Sequence, residues 1–113
     1  METVYFAKVR PTAKIPNKIQ ENAGYDIYAD FEDDYIVIPP HKTVLIPTGI
    51  ASAFSDDYYF QLEERGSTGT TGIGQRCGVI DSGFRGEWKV PITNHNKEHV
   101  VIAKEGIGLC DIF

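Results

Sequence analysis

The chain has 113 residues, 42% hydrophobic and 24% charged, which suits one soluble domain with a single apolar core. Sixteen acidic residues against eleven basic ones give a net charge of -5, which argues against a surface that binds the phosphate backbone of nucleic acid. No apolar run approaches a membrane span, and residues 1–8 lack the pattern of a secretory signal. We therefore expect a single intracellular domain over residues 1–113, bound neither to nucleic acid nor to a membrane.

The two cysteines, Cys77 and Cys110, lie far apart in the sequence, and neither belongs to a cluster with zinc-ligand spacing. We expect both to be reduced and buried, as small apolar side chains.

Short segments rich in β-branched and aromatic residues recur along the chain and end at Pro, Gly, Asn or Asp, as strands do. They cover residues 3–6, 25–28, 35–38, 43–46, 58–62, 90–92 and 99–102, and the chain stops inside a further strand-like stretch at 112–113. No window of helical length shows an apolar repeat of 3.6 residues. The pattern predicts an all-β barrel or sandwich with at most one helical turn, at residues 67–71, whose N-terminus would present N–H groups to phosphate.

Residues 77–87 carry the most informative pattern, because one carboxylate stands between an apolar run and a glycine-flanked turn. Residues 78–80 are predicted to form a strand, Ser82 and Gly83 a turn, and residues 87–92 the returning strand of a hairpin. Asp81 at the tip has two interpretations. It caps its own turn, or it acts as a general base on water, with Phe84 as an apolar wall.

Two upstream segments carry weaker signals. Asp26, in the aromatic strand 25–28, is either a carboxylate satisfied by backbone N–H groups or an outer-shell partner of a hydrated Mg²⁺. Residues 64–72 combine glycines and hydroxyls after a cation, which suits either an ordinary polar turn or close approach to phosphate, although no Walker loop is present.

The remaining polar candidates favour structural roles. Asp30 and the acidic residues 32–34 are expected to form a solvated turn, with a metal site as the alternative. The three histidines, His41, His95 and His99, are expected at the surface, and Trp88 is expected in the core.

Taken in order, these segments resemble the deoxyuridine triphosphatase (dUTPase) family, all-β enzymes that split dUTP into dUMP and pyrophosphate. Residues 23–29 are similar to the first family motif, residues 65–69 to the second, and residues 78–87 to the third, which is the most specific. Residues 47–50 are similar to the strand end that follows the first motif. The resemblance covers most of the chain and implies a distorted β-barrel of the jelly-roll type.

The resemblance also implies roles along the triphosphate. Asp81 would activate the water that attacks the α-phosphorus, and Asp26 would hold waters on Mg²⁺. Arg65 and Ser67 would contact the phosphates, with Gly66 in the position where the family usually has serine.

At the nucleoside end, the resemblance places the backbone of Val79 and Ile80 against the uracil edge. Gln75 falls where the family usually has a base-contacting Asn, and Lys89 would lie near the base. Phe84 stands in place of a Tyr that packs against the deoxyribose and excludes a 2′-hydroxyl.

The family usually forms homotrimers with shared sites, so the resemblance implies a trimer in the cytoplasm of a bacterium or a phage-infected host cell. Residues 104–113 occupy the place of the fourth motif without its usual Arg-Ile-Ala-Gln core, and the glycine-rich C-terminal arm of the family is absent from this sequence.

Three alternatives stand beside this interpretation. A non-catalytic nucleotide sensor or protein-binding module would suit the altered fourth motif, although a general base has little use in binding alone. A dCTP deaminase relative would need a glutamate where this chain has Pro91, which cannot transfer protons. An unrelated β-domain would have to contain all three motifs by chance.

Overall fold

A computed structural model describes residues 3–18, 24–64, 72–76, 78–103 and 108–112. The described residues form eleven strands and no helix long and apolar enough to cross a bilayer. The strands are β1 (Tyr5–Lys8), β2 (Tyr25–Tyr28), β3 (Tyr35–Ile38), β4 (Thr43–Pro47), β5 (Ile50–Ala53), β6 (Phe60–Glu64), β7 (Ile73–Gln75), β8 (Val79–Ile80), β9 (Lys89–Asn94), β10 (Val100–Ala103) and β11 (Gly108–Ile112). The all-β prediction is confirmed, while the helical turn expected at 67–71 lies outside the described residues.

Antiparallel ladders join these strands into four small sheets. One has four strands in the order β2-β11-β6-β8, and another has three in the order β4-β9-β7. Two further sheets pair β1 with β5 and β3 with β10. Most neighbours in these sheets are distant in the sequence, which is typical of barrels and jelly rolls rather than of simple meanders.

The core forms where the inward faces of these sheets meet. Along β9 the side chains alternate, so Val90 and Ile92 are buried while Lys89 is exposed. The wholly or nearly buried apolar side chains are Ala13, Ile27, Ile38, Ile46, Ile50, Leu62, Trp88, Val90 and Ile92. Phe6 and Phe60 contact the indole of Trp88 edge-on, with ring centroids 5.7 and 5.8 Å away. The indole is therefore the centre of an aromatic cluster.

Asn94, at the end of β9, is a polar anchor inside the fold. Its side chain is fully buried, and its Nδ2 donates to the backbone oxygens of Ile38 and Glu98 at 2.9 and 2.7 Å. Its backbone oxygen accepts from His41 N, in the turn where His41 adopts a left-handed φ of 61°. These bonds fix the end of β9 against the turn between β3 and β4.

The predicted strands agree well with the observed ones. β2 and β3 match their predicted bounds, and β6 and β10 are displaced by one or two residues. β5 and β7 were not predicted, because the former is made largely of alanine and serine and the latter of three residues with a central glycine.

Candidate active site

A cleft lies between two arms of the chain that connects β7 to β9: the β8 arm, residues 79–81, and the β9 arm, residues 87–89. Ile73 and Gln75 of β7 pair with Asn94 and Ile92 of β9, so the base of this excursion is a hairpin. β8 then leaves β9 and pairs with β6 instead. The predicted ladder between residues 78–80 and 87–92 is therefore wrong: the arms separate above the base because β6 captures one of them.

This separation opens a cleft of about 330 Å³. Its walls come from both arms, and Trp88 lines it from the core side. The lining residues are Val79, Ile80, Asp81, Phe84, Glu87, Trp88 and Lys89. Such a volume suits part of a small-molecule ligand, such as a base and its sugar, with the remainder extending into solvent.

Asp81 and Phe84 stand at the tip of the excursion. Phe84 N donates to Asp81 O at 3.1 Å, which closes the turn predicted at Ser82 and Gly83. The Asp81 carboxylate is exposed, and the Phe84 ring is 44% exposed and packs over Gly86. A Cβ at Gly86 would approach the ring to 3.0 Å, so a larger residue there would require a small shift of the ring. An exposed carboxylate and an aromatic ring thus face the same opening.

Val79 offers its backbone to the cleft. Leu62 N donates to Gly78 O, and Ile80 pairs with Phe60, so the N–H and C=O groups of residues 78 and 80 face β6. Because these directions alternate along an antiparallel strand, the N–H and C=O of Val79 point away from β6, on the cleft side. The N–H and C=O of Val79 are therefore directed so that a base in the cleft could bind them, as predicted.

Of the two side chains predicted to lie near the base, Lys89 lines the cleft and Gln75 does not. Lys89 begins β9 and lines the cleft. Gln75, at the end of β7, lies outside the lining, and its Nε2 donates to Leu62 O at 3.4 Å on the β6 side. The glutamine is thus half-buried near the base of the arms.

Asp26 does not meet Asp81 within one chain. β2 and β8 are the opposite edges of the four-stranded sheet, and the Asp26 row continues through Asp111 and Glu63. With ordinary strand spacings, the two aspartates lie roughly 19 Å apart. Asp26 is only 9% exposed, and its backbone N donates to Asn17 O at 2.8 Å. The two carboxylates cannot act on one phosphorus atom from the same copy.

Glu87 is a cleft residue that the sequence did not reveal. Its carboxylate accepts two hydrogen bonds from Arg10, at 3.1 and 2.6 Å, and a third from Gly49 N at 3.0 Å. The hydrogen bonds from Arg10 lower the pKa of Glu87, with a smaller contribution from Gly49, although burial opposes them. Since 77 residues separate Arg10 from Glu87, no local pattern could have indicated the pair.

Asp30 also belongs to this cluster. It is 6% exposed and accepts from Arg10 Nε at 2.8 Å. The prediction of a wholly solvated acidic turn is therefore wrong at Asp30, because an arginine from another segment pairs with it. It is correct for the exposed residues 32–34. The exposed histidines and the buried Trp88 agree with prediction.

Several predicted residues lie outside the described residues: Arg65, Gly66, Ser67 and Cys77. Their roles stay predictions. Within the described part of the chain, no three Asp, Glu, His or Cys side chains converge as metal ligands.

Comparison of the sequence with protein families matches the dUTPase family over residues 11–109. A deoxyuridine 5′-triphosphate nucleotidohydrolase of Leptospira interrogans is 32% identical over 103 residues, covering 88% of this chain and 70% of the relative. The enzyme of the same name from Rickettsia felis is 38% identical over 89 residues, covering 75% of this chain and 59% of the relative.

Solved structures share the fold. The dUTPase of Staphylococcus aureus phage phi11, solved as a point mutant that shows how a structural Mg(II) ion is coordinated, superposes with a TM-score of 0.85 at 20% identity. The match covers 97% of this chain and 88% of that one. The native EIAV dUTPase gives a TM-score of 0.79 at 23% identity over 97% and 85% of the two chains.

The strand order defines an all-β fold, and the sequence relatives mark the chain as a hydrolase. The chain belongs to the dUTPase family.

Proposed function

We propose that this member of the dUTPase family hydrolyses dUTP to dUMP and pyrophosphate in the cleft between its two arms. The observation that carries the proposal is the position of Asp81, an exposed carboxylate on the lining of a nucleoside-sized cleft. The sequence identity to named dUTP nucleotidohydrolases supports the substrate.

In the proposed reaction, Asp81 takes a proton from a water molecule as the water oxygen bonds to the α-phosphorus. The bond between that phosphorus and the oxygen bridging to the β-phosphorus then breaks, and pyrophosphate leaves. General-base assistance of this kind contributes about 10²–10⁴-fold to a rate. Among the described lining residues the other carboxylate is Glu87, which is unsuited to this task because Arg10 and Gly49 hold it.

The nucleoside would lie deeper between the arms. The outward N–H and C=O of Val79 would meet the uracil edge, while the neighbouring Ile80, Trp88 and Lys89 would line the rest of the cleft. Phe84 would pack against the deoxyribose, where a ribose hydroxyl would be desolvated without a partner, at a cost of about 1–3 kcal/mol.

Binding of the triphosphate would depend on Arg65, Gly66 and Ser67, together with Mg²⁺. The cation would be carried largely by the substrate phosphates and water, with Asp26 in its outer shell. When bound, Mg²⁺ would neutralise charge on the phosphates and the leaving pyrophosphate.

A homotrimer with shared sites would reconcile the positions of Asp26 and Asp81. Because these residues occupy opposite edges of one sheet, Asp26 would have to reach the triphosphate from a neighbouring copy. The separation of two residues that one nucleotide would contact thus supports the proposed oligomer.

The test is pyrophosphate release from dUTP, with dCTP, dTTP and UTP alongside, with Mg²⁺ and with chelator. We expect release from dUTP alone and its loss with chelator. Nucleotide binding without release would instead indicate a sensor. Deamination of dCTP would contradict the proposal, and Pro91, half-buried in β9, has no group to support that reaction.

A further inference from the structure

Arg10 joins two acidic residues that lie far from it in the sequence. Its guanidinium donates four hydrogen bonds: two to the Glu87 carboxylate, one to the Asp30 carboxylate and one to Asp30 O. The two bonds to Glu87 form a parallel pair, the geometry in which arginine binds carboxylates most specifically. Arg10 therefore fixes both the place and the orientation of Glu87.

This contact belongs to a larger anchor for one arm of the cleft. Gly49 N donates to Glu87, and Trp88, the residue after Glu87, exchanges backbone hydrogen bonds with the turn between β4 and β5 and with the first residue of β5. Trp88 N donates to Ile50 O at 2.8 Å, and Thr48 N and Oγ1 both donate to Trp88 O. The β9 arm is thus tied to Arg10 and to this turn, while the β8 arm is tied to β6.

The width of the cleft consequently depends on two independent anchors. The β8 arm is held by its ladder with β6. The β9 arm begins at Glu87, whose carboxylate is held by Arg10 and Gly49. A carboxylate on the cleft wall also has an electrostatic effect, because an anionic nucleotide would be repelled by it unless a cation compensates the charge.

We propose that Arg10 is a positioning residue for nucleotide binding, which holds the Glu87 arm and neutralises its charge toward the bound nucleotide. The inference rests on the proposed function, since it assigns a determinant of affinity to the same cleft. Arg10 itself does not line the cleft and has no part in the proton transfer.

The charges around Glu87 permit a test by pH. Arg10 and Lys89 are the cations that favour its ionised form, Asp30 shares Arg10, and Asp81 lies on the facing arm. Removing Arg10 takes away the largest cause of the low pKa of Glu87, while burial still raises that pKa and Gly49 N–H and Lys89 still lower it. Glu87 would then take up a proton at a higher pH, and its repulsion of the nucleotide would fade as the pH falls.

The experiment measures kcat and KM for dUTP in Arg10→Met, Arg10→Lys and the double variant Arg10→Met/Glu87→Gln, at pH 8 and pH 6. At pH 8, Arg10→Met should raise KM about tenfold, the equivalent of 1.4 kcal/mol, with kcat changed much less. The defect should shrink in the double variant, where a neutral glutamine replaces Glu87, and by a smaller factor at pH 6, where a larger fraction of Glu87 is protonated than at pH 8. Arg10→Lys should fall between wild type and Arg10→Met, because it keeps the charge and loses the paired bonds.

Arg76→Met is the matched control, because Arg76 is an exposed arginine outside the cleft lining, and its KM should match wild type. Binding of dUMP, followed by the fluorescence of the single tryptophan, Trp88, gives a readout without turnover. An unchanged KM in Arg10→Met, or an increase that neither pH 6 nor Glu87→Gln relieves, would overturn the inference. If Arg10→Met does not fold, the same comparison is made with Arg10→Lys. Failure of wild type to hydrolyse dUTP would overturn the proposed function instead, and dUMP affinities would still decide the role of Arg10.

Discussion

The indole of Trp88 donates a hydrogen bond from Nε1 to Ser52 Oγ at 3.0 Å, and both side chains are buried. This bond joins the residue just before β9, in the three-stranded sheet, to β5, in the sheet that it forms with β1. Because Trp88 is fully buried behind the cleft, the packing beneath the cleft wall is held by a hydrogen bond to a serine of a different sheet.

Replacing Ser52 with alanine should lower the free energy of unfolding by about 1–3 kcal/mol, since the buried indole N–H would lose its acceptor. Chemical denaturation measures the change. In a Trp88→Phe background the same Ser52→Ala substitution should cost much less, because no N–H remains to be satisfied. Equal costs in both backgrounds would show that the serine acts through packing alone.

The variant Asp81→Asn should reduce kcat on dUTP by about 10²–10⁴-fold, because the amide cannot accept the proton from water. Its affinity for dUMP, followed by Trp88 fluorescence, should change little, since the side chain keeps its size. Hydrolysis at the wild-type rate with binding intact would remove the general-base assignment.

Phe84→Ala should reduce the preference for dUTP over UTP about tenfold, which corresponds to the removal of a 1.4 kcal/mol barrier to the 2′-hydroxyl. The measurement is the ratio of kcat/KM for the two nucleotides. Phe84→Tyr keeps the ring and should keep the discrimination. A ratio unaffected by Phe84→Ala would mean that another group excludes the ribose.

Gly49→Ala should destabilise the fold by about 2–4 kcal/mol, because the residue has a left-handed φ and its Cβ would meet two close neighbours. The φ is 72°, and a Cβ would stand 2.5 Å from Asp30 Oδ2 and 2.6 Å from Ala13 Cβ. Thermal and denaturant unfolding report the loss. Gly83→Ala is the control, since a Cβ there meets nothing within 4 Å, and it should change stability by less than about 0.5 kcal/mol.

Stability should fall with acid in a way that depends on Glu87. The pKa of Glu87 in the folded chain is below its ordinary value, so its stabilising contribution is complete above the unfolded-state pKa of about 4.3 and is lost as the pH falls through the folded-state pKa. Glu87→Gln should therefore be less stable than wild type at pH 7, by about 1–2 kcal/mol after allowance for the partly exposed Arg10. Unfolding curves from pH 7 to pH 3 should converge at the acid end. A constant difference over that range would assign the effect to shape rather than charge.

Much of the fold could be read from local patterns. The aromatic and β-branched stretches at 25–28 and 35–38 are strands because such side chains pack well on a pleated, half-buried surface. The turn at Ser82 and Gly83 could also be predicted, because serine and glycine are typical turn residues. Asp81, Phe84, Val79, Ile80 and Lys89 do line one cleft, as expected from their proximity along the chain.

The parts that escaped prediction depend on partners distant in the sequence. The choice of β6 as neighbour of β8 is a property of the whole sheet, and it turned an expected closed hairpin into an open cleft. The pairing of Arg10 with Glu87 and Asp30 likewise requires contact between three segments. The residues around Asp30 do not indicate which basic side chain pairs with it.

The open edge of β8 has a consequence for how a base is recognised. A sheet edge normally attracts a strand from another molecule, and proteins keep such edges short or covered. This edge is two residues long and lies across the cleft from the β9 arm. A full strand from another molecule therefore has no room to pair with it. Along one side a uracil has an acceptor, a donor and an acceptor, and two adjacent groups of that side match the free N–H and C=O of a single residue, Val79. The nucleobase would then take the hydrogen bonds that a neighbouring strand would otherwise make. The same unpaired edge that favours aggregation in other proteins would here select one base over another.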